Sequence, residues 1–259
     1  MSIVEEYHRQ LGWRDWEGAL SQCPLVSGQA VLDLGCGPGD VSGLLAARGL
    51  SVTGVDENAE LLTAARERYP ACRFEQQDLG LLKLPPNSFD GIWCSFTAAY
   101  FTDFAETLAS WCSLLKERAW VCVIEMDDLL GHEPLSARTR ERIEMFYAEA
   151  RAAQRYDFRA GSALSLAVEN AGFQSAAIEL TDLELAFQGP ALPEVLEAWR
   201  ARLARMKGLK HFLGAEFQAF SEEFLRCLSS SKHRSRCRVV CCVGSRSTQS
   251  RSSSSKIGL

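Results

Sequence analysis

Short apolar runs alternate with amphipathic stretches along the first half of the chain. Five runs have the composition of buried strands: residues 30–34, 51–56, 72–78, 89–96 and 119–126. Between them lie three stretches whose apolar positions recur at helical spacing: residues 41–48, 58–69 and 103–116. Strands separated by helices are typical of a parallel sheet with both faces covered, so we expect an α/β fold.

The second half of the chain has longer helical patterns. Helices are expected over residues 136–155, 161–171, 193–206 and 215–228. Two further strands are expected over residues 173–187 and 237–244. The helical segments at about 127–160 and 190–230 interrupt the strand pattern, and we interpret them as insertions that form a lid over the sheet.

Composition divides the chain into three predicted parts. Residues 1–29 form a helical cap, and residues 30–245 form the α/β domain with its two insertions. Residues 246–259 are rich in serine and have almost nothing to bury, so we expect a disordered tail. With 259 residues, 47% of them hydrophobic, the chain is long enough to bury a sizeable core.

The net charge of −5 is unevenly distributed. Residues 229–259 contain seven Lys or Arg and no Asp or Glu, so the remainder carries −12. An acidic body is a poor surface for nucleic acid, and we expect no such partner. No apolar run is long enough to cross a bilayer, and the polar N-terminus lacks the apolar core of a signal peptide. We expect a cytoplasmic protein without a membrane partner, either a monomer or a homodimer.

Ten cysteines invite a disulfide or zinc interpretation, but their spacing opposes both. The chain contains no Cys-x-x-Cys pair, and several of the cysteines lie in apolar runs. We therefore expect no structural metal, and we expect reduced thiols that pack as small apolar side chains.

A glycine-rich turn, Gly35-Cys36-Gly37-Pro38-Gly39, follows the first predicted strand. Alternate glycines let the backbone approach a ligand closely and adopt unusual dihedral angles. Asp40 stands where the dinucleotide fingerprint Gly-x-Gly-x-x-Gly needs its third glycine, and no Gly-Lys-Ser/Thr of a phosphate-binding loop occurs. The turn therefore indicates a ligand without a pyrophosphate, and a tight packed turn without a ligand is the alternative.

Acidic residues end the second and third predicted strands. Asp56 could accept hydrogen bonds from the two hydroxyls of a ribose, or it could cap the helix that starts near Asn58. Asp78 could bind an amino group such as that of adenine, with Leu79 or Phe74 beside the ring, or it could be a solvated loop acid.

Together these motifs resemble the class I S-adenosylmethionine-dependent methyltransferases over residues 31–126. The resemblance rests on "VLDLGCGPG", on the acid that ends "VTGVD", and on "EQQDLGLLKLPPNSFDGIWCSF". It implies a Rossmann-like, seven-stranded, mostly parallel sheet whose last strand is antiparallel, a place that residues 237–244 fit. The glycine pair usual before the fifth strand is absent, because residues 116–119 read Lys-Glu-Arg-Ala.

The resemblance also implies that S-adenosyl-L-methionine is the cofactor and which residues bind it. Residues of the first motif would line its methionine part: Asp33, Gly35, Cys36 and Gly37. The ribose would bind Asp56 and Glu57, and the adenine would bind Asp78 and Leu79. Cys94 and Ser95 would pass beneath the sulfonium. Tyr7 and Trp13, on an expected short N-terminal helix that also holds Trp16, would cover the cofactor or simply pack on the core.

The segments after the fourth and fifth strands supply the catalytic candidates. Tyr100 would form an aromatic wall with Phe96 and Phe101. Glu125 and His132 are the leading candidates for a general base, with Asp127 and Asp128 beside them in sequence. A lone loop histidine is more often only solvated. Arg202 and Arg205 could meet an acidic substrate, or they could be a solvated helix face.

We therefore predict a methyltransferase that acts on a small-molecule acceptor by in-line displacement. Three alternatives remain open: an RNA or protein methyltransferase, a non-catalytic S-adenosylmethionine-binding partner subunit, and an NAD enzyme. An RNA enzyme would need a basic stripe near the pocket, and only the C-terminal end offers one.

Overall fold

A seven-stranded sheet runs through residues 3–246, the part of the chain that this computed structural model describes. The order of its strands is β3-β2-β1-β4-β5-β9-β7. Strands β1 to β5 are parallel, whereas β9 is antiparallel to both β5 and β7. The expected seven-stranded, mostly parallel sheet is confirmed. The strands are β1 (Ala30–Leu34), β2 (Ser51–Asp56), β3 (Arg73–Gln76), β4 (Phe89–Ser95), β5 (Leu115–Asp127), β6 (His132–Glu133), β7 (Gln174–Leu180), β8 (Arg234–Ser235) and β9 (Arg238–Ser245).

Helices cover both faces of the sheet. One face packs against α2 and α3, and the other against α5 and α7. The described helices are α1 (Ile3–Leu11), α2 (Trp16–Gln22), α3 (Asp40–Ala46), α4 (Ala59–Arg68), α5 (Phe104–Trp111), α6 (Ala137–Ala152), α7 (Ala160–Asn170), α8 (Pro193–Arg205), α9 (Lys207–Leu213) and α10 (Phe217–Leu228).

Neighbouring residues of each central strand enter different apolar cores. Val31 belongs to the core that also contains Trp199 of α8 and Phe224 of α10, whereas Leu32 belongs to the core under α5 and α7. This follows from the alternation of side chains along a strand, and burial on both sides explains the runs of apolar residues in central strands such as β4 and β5. Helices α6, α8, α9 and α10 share one continuous core with a face of the sheet, whereas α7 packs on the other face.

Several element boundaries differ from the sequence prediction. The N-terminal segment forms two helices rather than one, with Trp13 in the turn between α1 and α2. The strand expected over residues 173–187 ends at Leu180, because Asp182 accepts the backbone N–H groups of Glu184 and Leu185 and turns the chain. The helix expected to reach residue 116 ends at Trp111, and β5 begins at Leu115 after a 3₁₀ turn.

The two predicted insertions contain most of the remaining helices. Helix α6 and strand β6 lie between β5 and α7, and α8, α9, α10 and β8 lie between β7 and β9. The division into a cap, a domain with insertions and a tail stays a prediction. Residues 247–259, which make up nearly all of the predicted tail, lie outside the described residues.

All ten cysteines are free, and eight of them are buried, as expected of small apolar side chains. Within residues 3–246, the structure groups no three His, Cys, Asp or Glu side chains in a way that could hold a metal ion. None of the helices described is both long and apolar enough to cross a bilayer.

A pair of histidines lies inside the core formed by the second-half helices. Strands β6 and β8 pair and bring His132 beside His233, with 2.9 Å between His132 Nδ1 and His233 Nε2. The ring of His132 also contacts Trp199 and Phe224, and only 1% of the residue is exposed. Burial is the main cause that lowers the pKa of His132 from 6.5 to about 3, and the neighbouring His233 is the second cause.

This burial predicts an acid-sensitive fold. The unfolded chain takes up a proton at His132 below about pH 6.5, whereas the folded chain does not until about pH 3, so falling pH favours unfolding across that window. Between about pH 7.5 and about pH 4.5 the unaltered chain should lose about 2 kcal/mol more unfolding free energy than the variant His132→Phe. Urea unfolding at the two pH values measures the difference. His211→Phe, at an exposed histidine of α9, is the control and should behave like the unaltered chain. Parallel pH profiles for His132→Phe and the unaltered chain would contradict the prediction.

Candidate active site

A cleft of about 660 Å³ opens at the carboxyl ends of the parallel strands. Its floor is the turn after β1 together with the ends of β2 and β4. Helix α1 contributes Glu6 and Tyr7 to its walls, and α8 contributes Arg202 and Arg205. The cleft lies beside β1 and β4, where the strand order reverses, which is the usual ligand position in an open α/β sheet.

The three glycines of the turn all have positive φ angles, but they serve different purposes. At Gly35 (φ 74°) an added Cβ would lie 2.0 Å from Thr97 Oγ1, and at Gly39 (φ 80°) it would lie 2.8 Å from the ring of Phe74. These two glycines therefore make room for packed side chains of the protein. Only at Gly37 (φ 53°) does the missing Cβ leave open space, since its nearest atom would be Tyr7 Cε1 at 3.8 Å.

The carboxylate of Asp56 fixes the shape of this turn. Asp56 Oδ2 accepts the N–H of Gly37 at 2.9 Å, and Oδ1 accepts the N–H of Asn58 at 2.9 Å. Asn58 in turn caps α4 by accepting the N–H groups of Glu60 and Leu61. Each carboxylate oxygen has a second lone pair, so Asp56, which lines the cleft, can still accept hydrogen bonds from a ligand.

Two more acids support the turn from inside. Asp33 is buried and accepts the hydroxyl of Ser42 in α3 at 2.6 Å, and burial raises its pKa to about 7. Asp40 begins α3 and accepts the hydroxyl of Tyr69 at 2.7 Å. His8 Nδ1 lies 2.7 Å from Asp40 Oδ1, a contact that ties α1 to the turn.

Most of the predicted cofactor residues do meet at the cleft. Nine of them line it: Tyr7, Gly35, Cys36, Gly37, Asp56, Glu57, Asp78, Leu79 and Ser95. Three others are not among its lining residues. Asp33 and Cys94 are buried beneath the floor, and Trp13 packs on the core with Arg9 over its ring.

Aromatic side chains form the wall beside β4, as expected for Phe96, Tyr100 and Phe101. Tyr156, which the sequence did not single out, joins them and packs edge-on against Tyr100 at 5.0 Å between ring centroids. Burial raises the pKa of Tyr156, whereas Tyr7 and Tyr100 are 40% and 64% exposed at the cleft. A tyrosine hydroxyl keeps its proton at neutral pH, so all three can donate hydrogen bonds.

Glu125 lies beneath the cleft rather than in it. It is fully buried, and its Oε2 accepts the N–H of Ala99 at 3.0 Å while its Oε1 accepts the N–H of Met126 at 2.9 Å. Burial raises its pKa to about 7. Because Ala99 belongs to the 3₁₀ turn Ala98–Tyr100, this carboxylate holds the turn that carries Tyr100.

The remaining base candidates lie elsewhere. His132 is not among the residues that line the cleft and sits in the core beside His233, because β6 carries it into the lid. This placement argues against His132 as a general base. Asp127 and Asp128 pair with Arg238 and Arg236, respectively, and do not line the cleft.

Three arginines also line the cleft: Arg14, Arg202 and Arg205. No sequence motif indicates Arg14, and the sequence around Arg202 and Arg205 fits a solvated helix face equally well. Arg205 pairs with Glu6 across the gap between α8 and α1. No local pattern could reveal this, because the pairing partners are up to 199 residues apart in the chain.

Comparisons with known proteins match part of this chain to methyltransferases. The methyltransferase domain family matches residues 31–118. The chain is 50% identical to a trans-aconitate 2-methyltransferase of Paracidovorax citrulli over 62 residues, which is 23% of this chain and 24% of that protein. It is 31% identical to a trans-aconitate 2-methyltransferase of Escherichia coli over 124 residues, 47% of this chain and 48% of that protein. The matches thus span about a quarter to a half of these relatives.

The fold is also found in solved structures. An S-adenosylmethionine-dependent methyltransferase of Mesorhizobium loti superposes with a TM-score of 0.56 at 18% identity, covering 90% of this chain and 97% of that one. At this identity the likeness concerns the fold. Residues 31–118 thus match the methyltransferase domain family, and they lie within a fold that the Mesorhizobium loti methyltransferase shares.

Proposed function

We propose that this protein transfers a methyl group from S-adenosylmethionine to a small-molecule acceptor. The observation that carries the proposal is the open left-handed turn at Gly37, fixed by Asp56 in the floor of the cleft. The curated relatives named above support it, since their names describe methyl transfer to a small tricarboxylic acid.

The residues at the turn fit this cofactor. A Cβ-free backbone at Gly37 leaves room for a ligand against the turn, and Asp56 has lone pairs available for ribose hydroxyls. Asp78 and Leu79, at the far end of the floor, would hold the adenine. Glu57 and Ser95 would line the remainder, while Asp33 and Cys94 would act from below by supporting the floor.

When bound, S-adenosylmethionine supplies a methyl group that its sulfonium already activates. The protein then has to orient an acceptor and exclude water. Tyr7 and Tyr100, which keep their protons, would donate hydrogen bonds in the cleft, and Tyr100 with Phe96 would present aromatic faces to a cation. Glu125 would position Tyr100 through Ala99 rather than take a proton from the acceptor.

Enclosure favours a small acceptor. Helices α1 and α8 both line the cleft, and the pair of Glu6 and Arg205 joins them. A cleft of about 660 Å³ between such walls suits a small molecule better than an RNA or protein chain. The cytoplasmic location and the monomeric or homodimeric state stay predictions.

The direct test is transfer of a labelled methyl group from S-adenosylmethionine to panels of small acids, amines and phenols, with total RNA and a protein extract as separate arms. Incorporation into a small molecule supports the proposal. Incorporation only into RNA or protein, or tight cofactor binding without transfer to any arm, would favour one of the alternatives instead.

Removal of the Asp56 carboxylate should abolish cofactor binding. Asp56→Ala loses the group that shapes the turn and the expected hydrogen bonds to ribose, which contribute roughly 1.5–3 kcal/mol each when one partner is charged. We expect affinity for S-adenosylmethionine to fall at least about 100-fold by calorimetric titration. Glu60→Ala, an exposed acid in the first turn of α4, is the matched control and should bind as the unaltered chain does. Equal affinities for the two variants would refute the role given to Asp56.

The turn itself can be tested with two glycines of similar conformation. Gly37→Ala and Gly28→Ala both place a side chain at positive φ, which costs about 1–2 kcal/mol of stability in either case. Gly28 has no neighbouring atom within 4 Å of an added Cβ and is not among the residues that line the cleft. Thermal unfolding should therefore shift similarly in the two variants, whereas only Gly37→Ala should weaken binding of S-adenosylmethionine. A cofactor affinity unchanged by Gly37→Ala would place the ligand elsewhere.

A further inference from the structure

Two nearly buried guanidinium groups reach the cleft from distant parts of the chain. Arg14 lies in the turn between α1 and α2, and Arg202 lies on α8. Both line the cleft, although their side chains are only 11% and 18% exposed. Arg14 also lies 4.1 Å above the ring of Phe96, which is part of the aromatic wall.

Two fully buried carboxylates hold these arginines in place. Arg14 Nε donates to Asp182 Oδ2 at 3.1 Å, and Arg202 Nη2 donates to Glu184 Oε1 at 2.7 Å. Both acids have 0% exposed side chains. They belong to the loop after β7, where Asp182 bonds to the backbone of residues 184 and 185. The guanidinium groups are thus fixed before any ligand arrives.

Part of each guanidinium is still without a partner. No hydrogen bond joins either Nη atom of Arg14 to a residue within 3–246, although Nη2 lies 3.7 Å from Glu184 Oε2. Among the same residues Arg202 Nε has no hydrogen bond either, but it is buried and cannot be reached from the cleft; since Nη2 bonds to Glu184, Nη1 is the donor of Arg202 left for a ligand. Buried polar groups are normally satisfied, and a planar guanidinium presents its donors in a fork that matches a carboxylate.

The two sides of the cleft also differ in charge. Asp40, Asp56, Glu57 and Asp78 line the side formed by the turn and the ends of β2 and β3. The arginines line the side formed by the N-terminal segment and α8, where Glu6 is paired with Arg205. The first side suits the hydroxyls and amino groups of the cofactor, and the second presents guanidinium N–H donors to acceptor oxygens of a ligand.

We propose that Arg14 and Arg202 bind a carboxylate of the acceptor, so that the substrates are small carboxylic acids. This inference rests on the proposed function. A carboxylate is favoured over a phosphate because Asp182 and Glu184 already offset the two positive charges, and a phosphate dianion would lie close to both acids.

The test is calorimetric titration of the full chain, saturated with S-adenosylhomocysteine, with malonate, fumarate and trans-aconitate. The methyl esters of these acids and inorganic phosphate are separate arms. At least one acid should bind at least about tenfold more tightly than its ester and than phosphate.

Arg202→Gln should weaken the binding of that acid about 10- to 100-fold, while S-adenosylhomocysteine should bind within about twofold of its affinity for the unaltered chain. Arg200→Gln, an exposed arginine on the same helix, is the matched control and should change neither affinity.

A second variant distinguishes loss of the arginine from misfolding. Arg202→Gln leaves Glu184 buried without its main cation, so the double variant Arg202→Gln with Glu184→Gln keeps the pair neutral and should show the same loss of acid binding. Thermal unfolding of both variants shows whether each of them is folded.

The possible failures are distinguishable. If S-adenosylhomocysteine binds but no acid binds more tightly than its ester, or phosphate binds best, the carboxylate proposal is wrong and the proposed function stands. If Arg202→Gln weakens S-adenosylhomocysteine and leaves acid binding unchanged, the arginine belongs to the cofactor site and the proposal is again wrong. If S-adenosylhomocysteine does not bind the unaltered chain, both proposals fall.

Discussion

The hydrogen bonds that Asp56 accepts from Gly37 and Asn58 determine the shape of the whole cleft floor. They join the turn after β1 to the cap of α4, two places 21 residues apart in the chain. Parallel pairing of β1 with β2 brings the two strand ends level, and the N–H groups of Gly35 and Cys36 then bond to Val55 O at 2.8 and 3.1 Å. The carboxylate of Asp56 thus holds the backbone of the glycine turn in the conformation that lines the cleft.

The walls depend on hydrogen bonds and ion pairs between distant segments rather than on local structure. His8 contacts Asp40 at the turn, Glu6 pairs with Arg205 of α8, and Arg14 pairs with Asp182 beyond β7. Because these contacts start from one short N-terminal segment, that segment holds the turn and the helices of the second half in a fixed relation. The cleft is therefore a product of tertiary contacts made around a sheet edge that is already formed.

The sequence was informative where the cause is local. Most of the strands follow from short, largely apolar runs, and the turn follows from three glycines that all have positive φ. It could not tell which glycine faces a ligand, since that depends on Thr97 reaching Gly35 from the loop after β4. Likewise, nothing near His132 in the sequence predicts that β8 brings His233 beside it and that both enter an apolar core.

The buried carboxylates on the two sides of the site have different hydrogen-bond partners. Beneath the floor, Asp33 and Glu125 bond only to neutral donors, and burial raises the pKa of each to about 7. On the arginine side, burial raises the pKa of Asp182, whereas at Glu184 the same burial is outweighed by Arg202 and Arg14 and the pKa is lowered. A hydrogen bond from a neutral group cannot offset the loss of water around a carboxylate, but two guanidinium groups can. The carboxylates under the floor therefore act as acceptors that hold backbone and hydroxyl groups, while those behind the arginines keep charged donors fixed at the wall of the cleft.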